Sequence, residues 1–158
     1  MTLQRCSARL LGLAATLLPA IALAGFPFEA TLEEMAQQAD HILIGRVVGV
    51  DMIDGAGRQV SDETQRTGPV SKNTIRLRIQ VDEVLVTNAA NVLEVLPVPL
   101  ASHLHYSLGQ VRRAHDGDTE VRLVLLKGEN FEGIKPGVFL RSLGDREEAL
   151  RLHAEARR

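Results

Sequence analysis

Between Thr74 and Val86 the chain alternates, with Ile75, Leu77, Ile79 and Val81 apolar and Arg76, Arg78, Gln80 and Asp82 polar. A period of two sustained this long fits a strand with one face buried and one wetted, and no helix presents it. The parity then slips, because Val84 and Val86 continue the apolar set on even numbers. One extra residue near Asp82-Glu83 would restore it, which is the signature of a β-bulge. Bulged strands bend and twist, so this segment asks for a curled antiparallel sheet. Arg76 and Arg78 on its wetted face read as a solubility device.

The remaining elements are shorter. Ile42 to Val50 reads as a strand that is apolar on both faces except at Arg46, and Gly45 and Gly49 within it mark coiling, a bulge or a close backbone approach. Asp51 to Asn73 reads as a long loop, either mobile or a hairpin tip with a recognition role. Val92 to Leu96 is a short strand that Pro97-Val98-Pro99 ends, and His103 to Ala114 is poorly periodic. Asp116-Gly117 signals a hairpin turn into a strand over Thr119 to Leu126. Lys127 to Pro136 forms a second loop, and Val138 to Arg141 a last strand.

Helices are expected at both ends of this region. Thr31-Leu32-Glu33-Glu34 fits a capping box, with Leu32, Met35, Ala36 and Ala39 on one face and Asp40-His41 at the end. His41 stands where a cation meets the negative end of the helix dipole. From Asp145 to Arg158 a helix with a thin apolar strip is expected to pack on a barrel mouth. The expected fold is mainly β, a small OB-like closed or nearly closed β-barrel with a short N-terminal helix and a C-terminal helix.

Residues 1–24 read as a signal peptide. Arg5 and Arg9 form a basic start, Leu10 to Leu18 an apolar core, and Ala22-Leu23-Ala24 a small-residue cleavage site. The apolar run from Leu10 to Ala24 is 15 residues, short of the ~20 that a spanning helix needs, although an uncleaved anchor is the alternative. The expected mature chain is a single domain over residues 25–158, starting at Gly25, with no transmembrane span, in the periplasm or secreted. The only cysteine, Cys6, leaves with the leader. That excludes thiol catalysis, thiolate zinc sites and stabilisation by disulfides. Losing Arg5 and Arg9 leaves 16 basic against 20 acidic residues, a net charge of −4. With no Trp and one Tyr as well, the chain lacks both the field and the stacking platforms of a nucleic-acid binder.

One local cluster of metal-ligand types occurs, His103-Leu104-His105 followed by His115-Asp116-Gly117-Asp118. On a strand His103 and His105 would share a face, and with His115 or Asp116 they could hold Zn or Cu. Turn chemistry accounts for Asp116-Gly117-Asp118 without a metal. No nucleophile elbow, Walker loop, zinc-protease helix or dinucleotide fingerprint is present. A hydrolase built from Ser102 or Ser107 with His103 or His115 has no motif to support it. The leading expectation is a non-catalytic binding module with no cofactor. Its partner would be an envelope or extracellular protein, or a small ligand, met through the loops Asp51 to Asn73 and Lys127 to Pro136.

The run Ala39-Asp40-His41-Ile42-Leu43-Ile44-Gly45-Arg46-Val47, with the later Val81-Asp82-Glu83-Val84-Leu85 and Gly137-Val138-Phe139-Leu140, resembles secreted bacterial proteins of uncharacterised function. Their expected fold is similar to the OB-like barrel of netrin-like and tissue-inhibitor-type domains. The resemblance covers Thr31 to Leu140 and rests on structural punctuation. Inhibitors of that type chelate a protease metal through an N-terminal cysteine amine. The expected N-terminus here is Gly25 with no cysteine after it, so that mechanism does not carry over.

Overall fold

The computed structural model describes residues 29–158. The leader 1–24, Cys6 and the expected terminus Gly25 lie outside the described residues. The described chain runs α1 (Leu32–Gln38), β1 (His41–Ile53), β2 (Thr74–Val86), β3 (Val95–Pro99), α2 (Leu108–Ala114), β4 (Arg122–Lys127), β5 (Glu132–Gly133), β6 (Leu140–Ser142) and α3 (Arg146–Ala156). Six strands form one antiparallel sheet in the order β3-β2-β1-β4-β5, with β6 also on β4. The fold is therefore mainly β. The sheet is not closed: β3 and β5 come near each other, but no ladder joins them.

Strand β2 has the bounds that its alternation implies, with Ile75, Leu77 and Ile79 buried on the inner face. Asp51 takes two hydrogen bonds from Arg76 on the outer face, at 2.7 and 2.9 Å, and Arg78 adds a third at 3.4 Å. The β1–β2 register slips three times. Ile44 pairs with Glu83 and Gly45 with Val81, so Asp82 is the surplus residue expected from the parity. A second slip skips Leu85. The third skips Val48 on β1, and that bulged side chain stands 51% exposed beside Gly49. Gly45 is a close approach, since a Cβ there would press on the Gln80 carbonyl.

Both faces of β1 and β4 are covered. Leu43, Val47, Val124 and Leu126 join β2 and β3 side chains in the inner core. Ile42, Ile44, Leu123 and Leu125 pack on the other side with Met35 and Ala36 of α1 and Ala149 of α3. This explains why the sequence of β1 is apolar throughout. Thr31 caps α1 through the Glu34 N–H at 3.1 Å, while the Glu34 carboxylate pairs with Lys135 at 2.8 Å. The α3 helix lies along α1 rather than on a barrel mouth, tied by His153 Nδ1 to the Ala36 carbonyl (3.0 Å) and Arg157 to the Ala39 carbonyl (3.0 Å).

Several local expectations are corrected. His41 does not serve the end of α1: it begins β1, is 0% exposed, and is bonded by both ring nitrogens. Strand β3 does not end at Leu96 but runs through both prolines. Leu100 and Val81 bond to Ile75 and Glu94 across the β2–β3 ladder, which turns even-numbered β3 residues toward β2. Pro97 and Pro99 therefore occupy positions whose missing N–H would point off the open edge, where a ladder loses nothing. Asp116-Gly117 does not turn a hairpin. It follows α2, with Gly117 at φ +71 in the turn that leaves the helix.

Candidate functional site

Helix α2 lies in the segment whose periodicity was weakest, and local polar chemistry builds it. Ser107 accepts from the Gln110 N–H at 3.2 Å, and the Gln110 side chain accepts from the Ser107 N–H at 3.0 Å, a complete capping box. The next two N–H groups, of Leu108 and Gly109, donate to the carbonyls of Gln65 and Glu63, each at 3.0 Å. All this satisfies donors that a helix start leaves unpaired. The long segment after β1 is thus tied to the start of α2. Its backbone caps α2, and Thr67 bonds to the Leu104 and Tyr106 carbonyls as well.

Held in this way, α2 stands across the inner face of the curled sheet and leaves a groove of about 870 Å³. Leu77, Leu100, Val111, Phe139 and Leu140 make its walls apolar. Tyr106, the only tyrosine of the chain, also lines it. The size lies within the roughly 300–1,000 Å³ of small-molecule sites, which are also mostly apolar with few polar groups. Two of its polar side chains are already used: Gln110 in the cap, and Arg141 in an ion pair with Asp145 at 3.0 Å.

His115 differs. It closes α2 as its C-cap and lines both the groove and a shallower notch beside Arg46 and Asp118. Its buried Nδ1 makes no hydrogen bond, and Asp118 Oδ2 lies 3.5 Å away, farther than a good hydrogen bond. Arg122 holds Asp118 from the other side at 2.8 and 3.1 Å. Those hydrogen bonds pull the Asp118 carboxyl below the usual aspartate range, against the opposing effect of burial.

The proposed metal ligands are not brought together. His103 and His105 are exposed in the stretch before α2, and the His105 ring lies against Gly68. His115 is at the far end of the helix, and Asp116 is exposed in the turn beyond it. Among the described residues no three His, Cys, Asp or Glu side chains are placed to hold a metal ion. The Zn or Cu site at His103, His105, His115 and Asp116 therefore finds no support in the geometry. Ser107 and His115 sit at opposite ends of α2, about 12 Å apart along a helix rising 1.5 Å per residue, so they form no nucleophile–base pair.

The groove was invisible to strand periodicity because its walls come from four separate elements. One signal was present, Ser107-x-x-Gln110 ahead of Val111 and Ala114, a capping box opening a short apolar face. Comparison with family models, curated proteins and solved structures gave no match to this chain.

Proposed function

We propose that this is an exported, non-catalytic binding module, periplasmic or secreted, that takes a compact apolar ligand in the groove beneath α2. The apolar groove of about 870 Å³ carries this reading. Tyr106 and His115, which also line the groove, are the polar side chains there for a hydrogen-bonding end of the ligand. The approach of β3 to β5 supports regarding the sheet as a nearly closed barrel of OB-like type. Among the described residues no helix is long and apolar enough to cross a membrane.

Two observations favour a small ligand over a protein partner added to the sheet. The open edge of β3 presents prolines at 97 and 99 where a docking strand would need donors. The segment after β1 commits its Glu63 and Gln65 carbonyls to capping α2. The test is titration of the processed chain with N-phenyl-1-naphthylamine, an apolar fluorescent probe. Saturable one-site binding is expected. Ala114→Phe, at an exposed groove position, should weaken it by about tenfold, or 1.4 kcal/mol. Non-saturable binding that ignores Ala114→Phe would contradict the reading.

A further inference from the structure

We infer that Asp116-Gly117 is a covalent modification site, at which the backbone isomerises with water as the only co-reactant. The Gly117 nitrogen bonds to Asp116 Cγ and gives up its proton, while the carboxyl loses its hydroxyl as water, and a five-membered succinimide closes. Water then opens the ring. Attack at the main-chain carbonyl breaks its bond to the Gly117 nitrogen and leaves isoaspartate, joined onward through its side-chain carbonyl and unchanged in mass. Attack at the side-chain carbonyl restores aspartate.

The chain holds this dipeptide twice, at Asp54-Gly55 and Asp116-Gly117, and the fold treats the two oppositely. Asp54 Oδ1 accepts the N–H groups of Ala56 and Arg58 at 2.8 and 3.0 Å, and Oδ2 accepts Arg58 Nε at 2.9 Å. These bonds, the Arg58 N–H foremost, hold the Asp54 carboxyl below the usual aspartate range, whereas loss of water needs the protonated form. Gly55 also lies against the Lys72 side chain, where a Cβ would find no room. Asp116 is exposed in the turn after α2, and among the described residues no hydrogen bond or ion pair holds its carboxylate. Gly117, at φ +71, has open space around it, and both residues line the notch of about 590 Å³ beside Arg46. A glycine after the aspartate puts no Cβ in the path of the attack. The product lengthens the main chain by one atom in a turn closed by the Asp118 N–H on the His115 carbonyl at 3.2 Å. His115 lines the groove, so the change falls on the groove's rim.

Trypsin cuts after Arg46 and Arg58, and after Arg113 and Arg122, so the two dipeptides fall in separate peptides. The folded protein is held at neutral pH and physiological temperature for weeks, and isoaspartate in each peptide is located by chromatography and electron-transfer fragmentation. Giving up even one hydrogen bond to an ionised carboxylate slows a reaction about tenfold, so position 116 should isomerise about ten times faster than position 54. In urea the two rates should converge, because the dipeptides are the same. Asp116→Glu, whose longer side chain would have to close a less favoured six-membered ring, should clear the signal from the 114–122 peptide. Equal rates at 54 and 116 in the folded protein, isomerisation of 116 in urea alone, or a tenfold ratio that persists in urea would each overturn the inference. So would a signal that survives Asp116→Glu, which would place the chemistry at Asp118.

Discussion

The Nε2 of His41 donates to the carbonyl oxygen of Gly128 at 3.0 Å, joining the first residue of β1 to the turn that follows β4. A carbonyl only accepts, so Nε2 carries a proton, and Nδ1 shares a hydrogen bond with the Thr87 hydroxyl at 2.8 Å. The same Gly128 gives its N–H to Asp40 at 2.8 Å, and Phe131 lies over the His41 ring with centroids 4.3 Å apart. Two neighbouring side chains thus clamp both backbone groups of one glycine. His41→Ala removes a buried ring and strips partners from Gly128 and Thr87. It should cost about 2–4 kcal/mol in urea unfolding, from cavity and unsatisfied-polar terms together. An unchanged unfolding midpoint would contradict the clamp.

The two glycines of β1 should separate cleanly. Gly45→Ala drives a Cβ into the Gln80 backbone, which cannot move without shifting β2, whereas a Cβ at Gly49 meets only Arg78 side-chain atoms at ordinary contact distance. Gly45→Ala is expected to lower stability by about 2 kcal/mol or more, and Gly49→Ala to stay within about 0.5 kcal/mol. Paired thermal melts of the two variants decide it.

The prolines of β3 act against association. Replacing Pro97 and Pro99 by valine restores two outward N–H groups on an open edge, and strand pairing between copies should follow. Light scattering after size exclusion is expected to show concentration-dependent oligomers for Pro97→Val with Pro99→Val but not for the parent. A monomeric double variant at every concentration would remove this role from the prolines.

Acid should weaken the fold through Asp118 and Asp40. Arg122 hydrogen bonds lower the first, and the Gly128 N–H, followed by Arg157, lowers the second, relative to the ordinary value of 3.8. A carboxyl depressed in the folded state stabilises it at pH above the unfolded value, and loses that contribution as pH falls through the lower folded value. Melting temperature should therefore hold from about pH 7 to about pH 5 and drop below about pH 4. Asp118→Asn should melt lower near neutrality and lose less on acidification, so that the two curves converge in acid. Parallel curves would exclude Asp118 from the acid response.

What the sequence disclosed, and what it hid, follows from the range of the forces involved. β2 and the surplus Asp82 were legible because pleat alternation and its slip are local, and α1 was legible through Thr31 and its apolar spacing. The continuation of β3 through Pro97 and Pro99 was not, since only the ladder to β2 shows that both prolines face outward. Asp116-Gly117 misled because the same dipeptide turns a hairpin or leaves a helix, and α2 upstream decides which. His41 has the same sequence context whether it caps a helix or fills a buried pocket. Its partners, Thr87 and Gly128, are brought to it by the fold. The groove is the extreme case, for no single segment contains it.

The claim that the groove is a ligand site can be tested with a reporter the chain already carries. Tyr106 is the only tyrosine, no tryptophan obscures it, and it lines the groove. Titrating the processed protein with decanoic acid, an apolar chain with one hydrogen-bonding end, and following Tyr106 emission is the most direct measurement. The account predicts a saturable change that Ala114→Phe abolishes or shifts to about tenfold higher ligand concentration. Emission that stays flat, or changes equally in Ala114→Phe, would contradict it.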